Sequence, residues 1–200
     1  MHAQAESIYI QLLNEGCQEP TLLLNLSGLH LSCNRPGAAE PLLRQVIELQ
    51  PGHGSAYNNL GMVYSARGEY DLALDAHRQA VHLSPDVEQF RLNLGLALHE
   101  VDEIDASLQV FLAALERNPC SCDARLHLGR SYQRLGRPRE AIQCFEAAIA
   151  LNDQHADAHV NLASALLLAG EEQRGFKEYE WRLRCPAGSA FAAHAQPLCP

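Results

Sequence analysis

Between residues 90 and 115 the apolar positions fall into two runs at helical spacing: Phe90, Leu94, Ala97, Leu98 and Val101, then Ile104, Leu108, Phe111 and Leu115. Recurrence at three and four residues gathers each run on one face of a helix. Between them stands Asp102, a residue type that tolerates the left-handed backbone at a helix end. The same pattern returns every 34 residues along the chain. Leu26, Leu60, Leu94, Leu128 and Leu162 align, each followed by a small residue: Ser27, Gly61, Gly95, Gly129 and Ala163. Three positions further stand His30, Tyr64, Leu98, Tyr132 and Leu166. Later columns hold Ala39, Ala73, Ser107, Ala141 and Gly175, then Leu43, His77, Phe111, Phe145 and Tyr179. Asn34, Gly68, Asp102, Gly136 and Gly170 mark the turn inside each unit. Pro36 and Pro138 suit the first turn of the helix that follows, and Pro51, Pro85 and Pro119 close three units.

This pattern predicts an all-α chain of antiparallel helix pairs, with units at 20–53, 54–87, 88–121, 122–155 and 156–184. Small residues at 61, 73 and 80, and at 129, 141 and 148, let helix axes approach at the short end of the roughly 8–10 Å range. Residues 1–19 read as the second helix of a unit whose first helix is missing, because Ala5 and Tyr9 stand one step before Ala39 and Leu43. Such a start lacks the polar cap that stacked repeats need, and its apolar surface is one through which two copies could dimerise. Arg182 falls in the column of Val46, Ala80, Ala114 and Ala148, where another packed unit would bury its charge, so the stack is expected to end there, with 185–200 an irregular tail.

The stretches "YNNLGMVY" from Tyr57, followed by Ala73 and Pro85, and "LGRSY" from Leu128, followed by Ala141 and Phe145, resemble the tetratricopeptide repeat. That resemblance implies an α-α superhelix, with the first helix of each pair lining a concave wall that binds proteins or peptides.

One polar column lies on those first helices: Asn25, Asn59, Asn93 and Asn161, with His127 in the fourth place. Each stands one residue before the core leucine, about 100° around the helix, and so is expected to point away from the buried stripe. Met62 lies on the same face as Asn59, Gln89 as Asn93, and Arg130 and Arg134 as His127. An Asn amide can both donate to and accept from one peptide unit. First helices roughly 10 Å apart would meet about every third residue of an extended chain advancing about 3.3 Å per residue. The column is similar to the asparagine ladder of O-linked N-acetylglucosamine transferases, from which His127 departs. Asn58, whose equivalents are Leu24, Leu92, Leu126 and Val160, reads as incidental. Arg130 and Arg134 form a small basic spot for one acidic group.

Charge narrows the partners. The net charge is −9 and the sole lysine is Lys177, which argues against nucleic acid. No basic start precedes an apolar block, and no apolar run reaches the length of a span, so neither a secretion signal nor a membrane anchor is expected. Seven cysteines include no CxxC and no zinc-finger spacing, which suggests reduced thiols in the cytoplasm, with Cys33 and Cys144 as small packing residues. His155 and His159 have the spacing of a metal pair but no third ligand, and read as surface residues. With no phosphate loop, dinucleotide fingerprint or nucleophile elbow, no cofactor and no catalytic residue is expected.

The end of the chain suggests a competing reading. "GFKEYEWRLRCP" from Gly175 and "QPLCP" from Gln196 resemble the region where bacterial tetratricopeptide proteins continue into a glycosyltransferase-like domain, with Cys199 where that pattern has Trp. The resemblance implies a substrate-docking arm of such an enzyme. The alternative is a C-terminal cap, with Trp181 and Tyr179 packed on the last pair. The expectation that follows from the whole chain is a noncatalytic interaction module that binds an extended peptide or a partner helix.

Overall fold

The helices start where the periodicity places them. In the computed structural model, which describes residues 2–184, five helices begin 34 residues apart: α2 (Pro20–Ser32), α4 (Gly54–Ala66), α6 (Glu88–Glu100), α8 (Cys122–Arg134) and α10 (Ala156–Leu168). Their partners keep the same step: α3 (Pro36–Leu49), α5 (Tyr70–Leu83), α7 (Ile104–Arg117), α9 (Pro138–Leu151) and α11 (Glu172–Tyr179). The last continues into a 3-10 turn at Glu180–Arg184, and α1 (His2–Asn14) precedes the first pair. No strand occurs among the described residues, and none of their helices is long and apolar enough to cross a membrane.

The turns inside the pairs are built by one device. Asn34, Gly68, Asp102, Gly136 and Gly170 have φ of 55°, 74°, 63°, 68° and 82°. The residue after the left-handed position then donates its N–H back to the carbonyl five residues earlier: Arg35 to His30, Glu69 to Tyr64, Arg137 to Tyr132 and Glu171 to Leu166. This closes carbonyls that the helix end would otherwise leave unpaired. Asn and Asp can hold that conformation because their short polar side chains bond locally.

The chain divides into two compact units, Met1–Asp102 and Glu103–Pro200. In the first, Leu23, Leu43, Val46, Leu60, Val63 and Tyr64 form the core, with Ala39, Ala56 and Ala73 letting the helices close up. In the second, Phe145, Ile142, Leu162 and Leu166 pack with Ala141, Ala148, Ala158 and Ala165. Each fully buried Leu, Ile or Phe contributes roughly 1.5–3 kcal/mol relative to exposure. The closest approaches occur at the small-residue column. A Cβ built on Gly61 would lie 2.6 Å from the His77 ring, and one on Gly129 2.4 Å from the Phe145 ring. His77 therefore does the packing that Phe145 does in the other unit, and it is buried just as deeply. At the outer edge, Glu40 accepts from Arg44 and Arg67, which together hold its carboxyl below the usual range, Arg44 chiefly.

Two side chains, Cys33 and His159, depart from expectation. Cys33 is exposed rather than packed, because it is the C-cap of α2, beyond the buried stripe. Cys144 is partly buried, and burial raises its thiol to about 11. His159 is buried, not a surface residue: its ring lies flat on Trp181 at 3.9 Å, with Nδ1 against the Glu178 carboxylate and Nε2 3.0 Å from the Asp153 carbonyl. His155 does lie ahead of α10, where its Nδ1 caps the helix by accepting from the Ala158 N–H. Trp181 thus packs on the last pair, while Arg182 sits over the Tyr179 ring and donates to its carbonyl.

Candidate functional site: the polar column of the first helices

In the first unit α4 touches both α2 and α6, so Asn25, Asn59 and Asn93 stand on neighbouring helices. They do not stand alike. Asn25 is exposed and Asn59 half-buried, and among the described residues neither side chain makes a hydrogen bond. Asn93 is half-buried and engaged twice: its Oδ1 accepts from Gln89 Nε2 at 3.0 Å, and its Nδ2 donates to Asn58 Oδ1 at 2.9 Å. Asn58 in turn lies 3.8 Å from the Met62 sulfur through its own Nδ2. A chain of amides therefore runs from Gln89 on α6 to Met62 on α4 and ties the two helices together.

Asn58 is the residue that sequence reasoning passed over. It is 5% exposed, in a column that is otherwise leucine and valine. That contrast was itself the available signal, since a polar group in an apolar column will be buried and must find a partner. Asn59, one residue on, keeps its amide open beside Met62, which is 43% exposed. Ser55 is half-buried and Ala66 exposed, so this side of α4 stays open along its length.

The second unit treats the column differently. The half-buried His127 ring stacks on Phe111, with centroids 5.4 Å apart. Asn161 is buried, and its Nδ2 donates to the Asp157 carbonyl one turn back, so its amide is turned along its own helix. Arg130 is half-buried and Arg134 exposed at the end of α8. Among the described residues no group of three His, Cys, Asp or Glu side chains is placed to hold a metal ion.

Models of the tetratricopeptide repeat match residues 54–87 and 126–183. Over those residues the chain carries tetratricopeptide repeats. No curated protein matches it. Among solved structures, this repeat protein is similar to YrrB, described as a tetratricopeptide protein with an unusual peptide-binding site, at 21% identity over 94% of this chain and 96% of that one, with a TM-score of 0.66. MamA aligns at 21% identity over 80% of this chain and 93% of that one, with a TM-score of 0.68. MamA from Desulfovibrio magneticus RS-1, from residue 41 to its end, aligns at 17% identity over 84% and 97%, with a TM-score of 0.71. At such identities the likeness concerns the fold. Repeats of this type support a protein-interaction role, and they leave the residues of contact to be argued from this chain's own side chains.

Proposed function

We propose that the protein is a noncatalytic interaction module whose first unit binds an extended peptide, or a partner helix, along the face of α2, α4 and α6. The observation that carries this reading is the open amide of Asn59, half-buried beside the exposed Met62 and without a hydrogen bond among the described residues. A half-buried amide of this kind can take a peptide N–H and C=O with little water left to displace, and Met62 adds an adaptable apolar contact. Asn25 extends the line on α2. Asn93 has a different part: held by Gln89 and Asn58, it fixes the spacing of α4 and α6 and offers only its remaining lone pair and N–H. In the second unit Arg130 and Arg134 would receive an acidic group, and His127 and Asn161 contribute less than their column suggests. YrrB supplies a precedent for peptide capture on this fold. The expected home is the cytoplasm.

A peptide library screened against the wild type and then against Asn59→Ala and Asn58→Ala tests the proposal. Asn59→Ala should keep the wild-type stability and weaken the best peptides about fivefold to tenfold, as expected for the loss of hydrogen bonds worth about 1 kcal/mol. Asn58→Ala should instead lower stability by about 1–2 kcal/mol, because it strands the Asn93 amide. Unchanged affinity in Asn59→Ala removes this residue from the site. The docking-arm reading rests on the resemblance at 175–200, of which 185–200 lies outside the described residues. Sugar transfer from a nucleotide sugar to an acceptor protein by the purified chain would overturn the noncatalytic assignment.

A further inference from the structure

The amide chain on α4 ends in an unequal bond. Its direction is fixed from the far end: Gln89 Nε2 donates to Asn93 Oδ1 at 3.0 Å, and Asn93 Nδ2 donates to Asn58 Oδ1 at 2.9 Å. Asn58 is left with its own Nδ2, which faces the Met62 sulfur at 3.8 Å, its only partner among the described residues. Asn58 is 5% exposed, so little water reaches it, and a thioether is a weak acceptor. A buried amide donor that can hold a full hydrogen bond is thus spent on sulfur. The repeat itself does not call for a methionine here, since the same column holds Gly28, Leu96, Arg130 and Ser164. Met62 is the only methionine after Met1, and at 43% exposure its side chain is open to small solutes.

We propose that Met62 is an oxidation site, and that its sulfoxide, captured by Asn58, weakens peptide binding to this face. The oxidant is hydrogen peroxide. A sulfur lone pair attacks one peroxide oxygen as the O–O bond breaks; an S–O bond forms, the sulfur is oxidised by two electrons, and the second oxygen leaves as water with the proton of the first. The sulfoxide oxygen is a strong acceptor one bond from the sulfur, within reach of the Nδ2 that already points there. The product therefore gains a hydrogen bond of ordinary strength where the thioether had a weak one. Met62 lies one turn beyond Asn58 on the same helix, so the capture needs no backbone movement. Oxidation of a methionine usually costs stability by putting a polar group where apolar contact was, and here the waiting donor offsets that cost. Binding is not compensated: the adaptable apolar contact beside Asn59 becomes polar and is turned inward. The effect on peptides rests on the peptide reading of this face, whereas the pairing with Asn58 does not.

Peroxide treatment of the wild type, Met62→Leu and Asn58→Leu, followed by a thiol reductant to return the cysteines, tests the proposal. Met62→Leu carries the same seven cysteines, so it reports any effect of peroxide on them. Mass spectrometry should find one added oxygen on Met62 in the wild type and in Asn58→Leu, removed again by methionine sulfoxide reductases. Oxidation should shift the melting temperature of the first unit more favourably in the wild type than in Asn58→Leu, by about 4–8 °C, the effect of one hydrogen bond in a unit of this size. The best library peptide should bind the oxidised wild type about threefold to tenfold more weakly and recover with the reductases. Met62→Leu, whatever its starting affinity, should bind alike before and after treatment. An unmodified Met62 overturns the proposal, as does an equal melting shift in the wild type and Asn58→Leu. Unchanged peptide affinity after oxidation overturns its second half while Asn59→Ala still weakens the same peptide; if Asn59→Ala has no effect either, the peptide reading of the face falls as well.

Discussion

Replacing Gly61 with Ala is the sharpest test of how the repeats close. The added Cβ would lie 2.6, 2.7 and 2.8 Å from three atoms of the His77 ring, so the ring must retreat by about 0.8 Å to reach ordinary contact at 3.4 Å. It has nowhere to go, being 2% exposed on a helix packed from both sides. Overpacking of this size costs about 1–3 kcal/mol. Ala is also the better helix former by about 1 kcal/mol, which partly hides the clash. Gly28 supplies the reference: it lies inside α2 in the same unit, and a Cβ there meets nothing within 4 Å. Gly28→Ala should therefore gain the full propensity term, and the two variants should differ by about 1–3 kcal/mol. For a unit of this size each kcal/mol moves the melting temperature by about 4–8 °C, so calorimetry resolves the difference readily. The double variant Gly61→Ala, His77→Leu should recover most of the loss, since the first pair already combines Ser27 with Leu43 in the same columns. If Gly61→Ala melted as high as Gly28→Ala, the close approach at this column would not be a structural requirement.

Two further outcomes follow from buried rings. Burial lowers the pKa of His77 to about 4 from an ordinary 6.5, so it is neutral in the fold while the unfolded chain takes up a proton below 6.5. Stability should fall as the pH drops from about 6.5 to 4, by about 3 kcal/mol in all, and His77→Phe should remove that loss when urea unfolding is compared at pH 7 and pH 4.5. Trp181, the only tryptophan, stacks on His159 within the second unit. Its emission should follow the unfolding of that unit alone, and Trp181→Ala should lower the stability there by about 1 kcal/mol.

The repeat length, the helix pairs and all five left-handed turn residues are legible in the sequence, because each rests on local chemistry. Apolar spacing fixes which face is buried, and Asn, Asp or Gly fixes where a helix can reverse. The small-residue column also announces close helix contact, though only the structure shows that His77 is as deeply seated as Phe145. Polar side chains were less legible. Asn25, Asn59, Asn93 and Asn161 share a column, yet one is exposed, one open, one tied to Asn58 and Gln89, and one folded back onto the Asp157 carbonyl.

The reason is a difference in range. A hydrophobic stripe is set by residues three and four apart on one helix, and the sequence carries that information whole. Whether an amide is free depends on which groups a neighbouring helix brings within about 3 Å, and that distance is decided by packing. His159 illustrates the same limit, since Glu178 and Trp181 reach it from a helix and a turn that begin well beyond its own. The sequence by itself thus determined what the chain is built from and where it turns, while the tertiary structure alone decided that Asn58 and Asn93 are spent on holding helices together and that the half-buried Asn59 amide makes no hydrogen bond among the described residues.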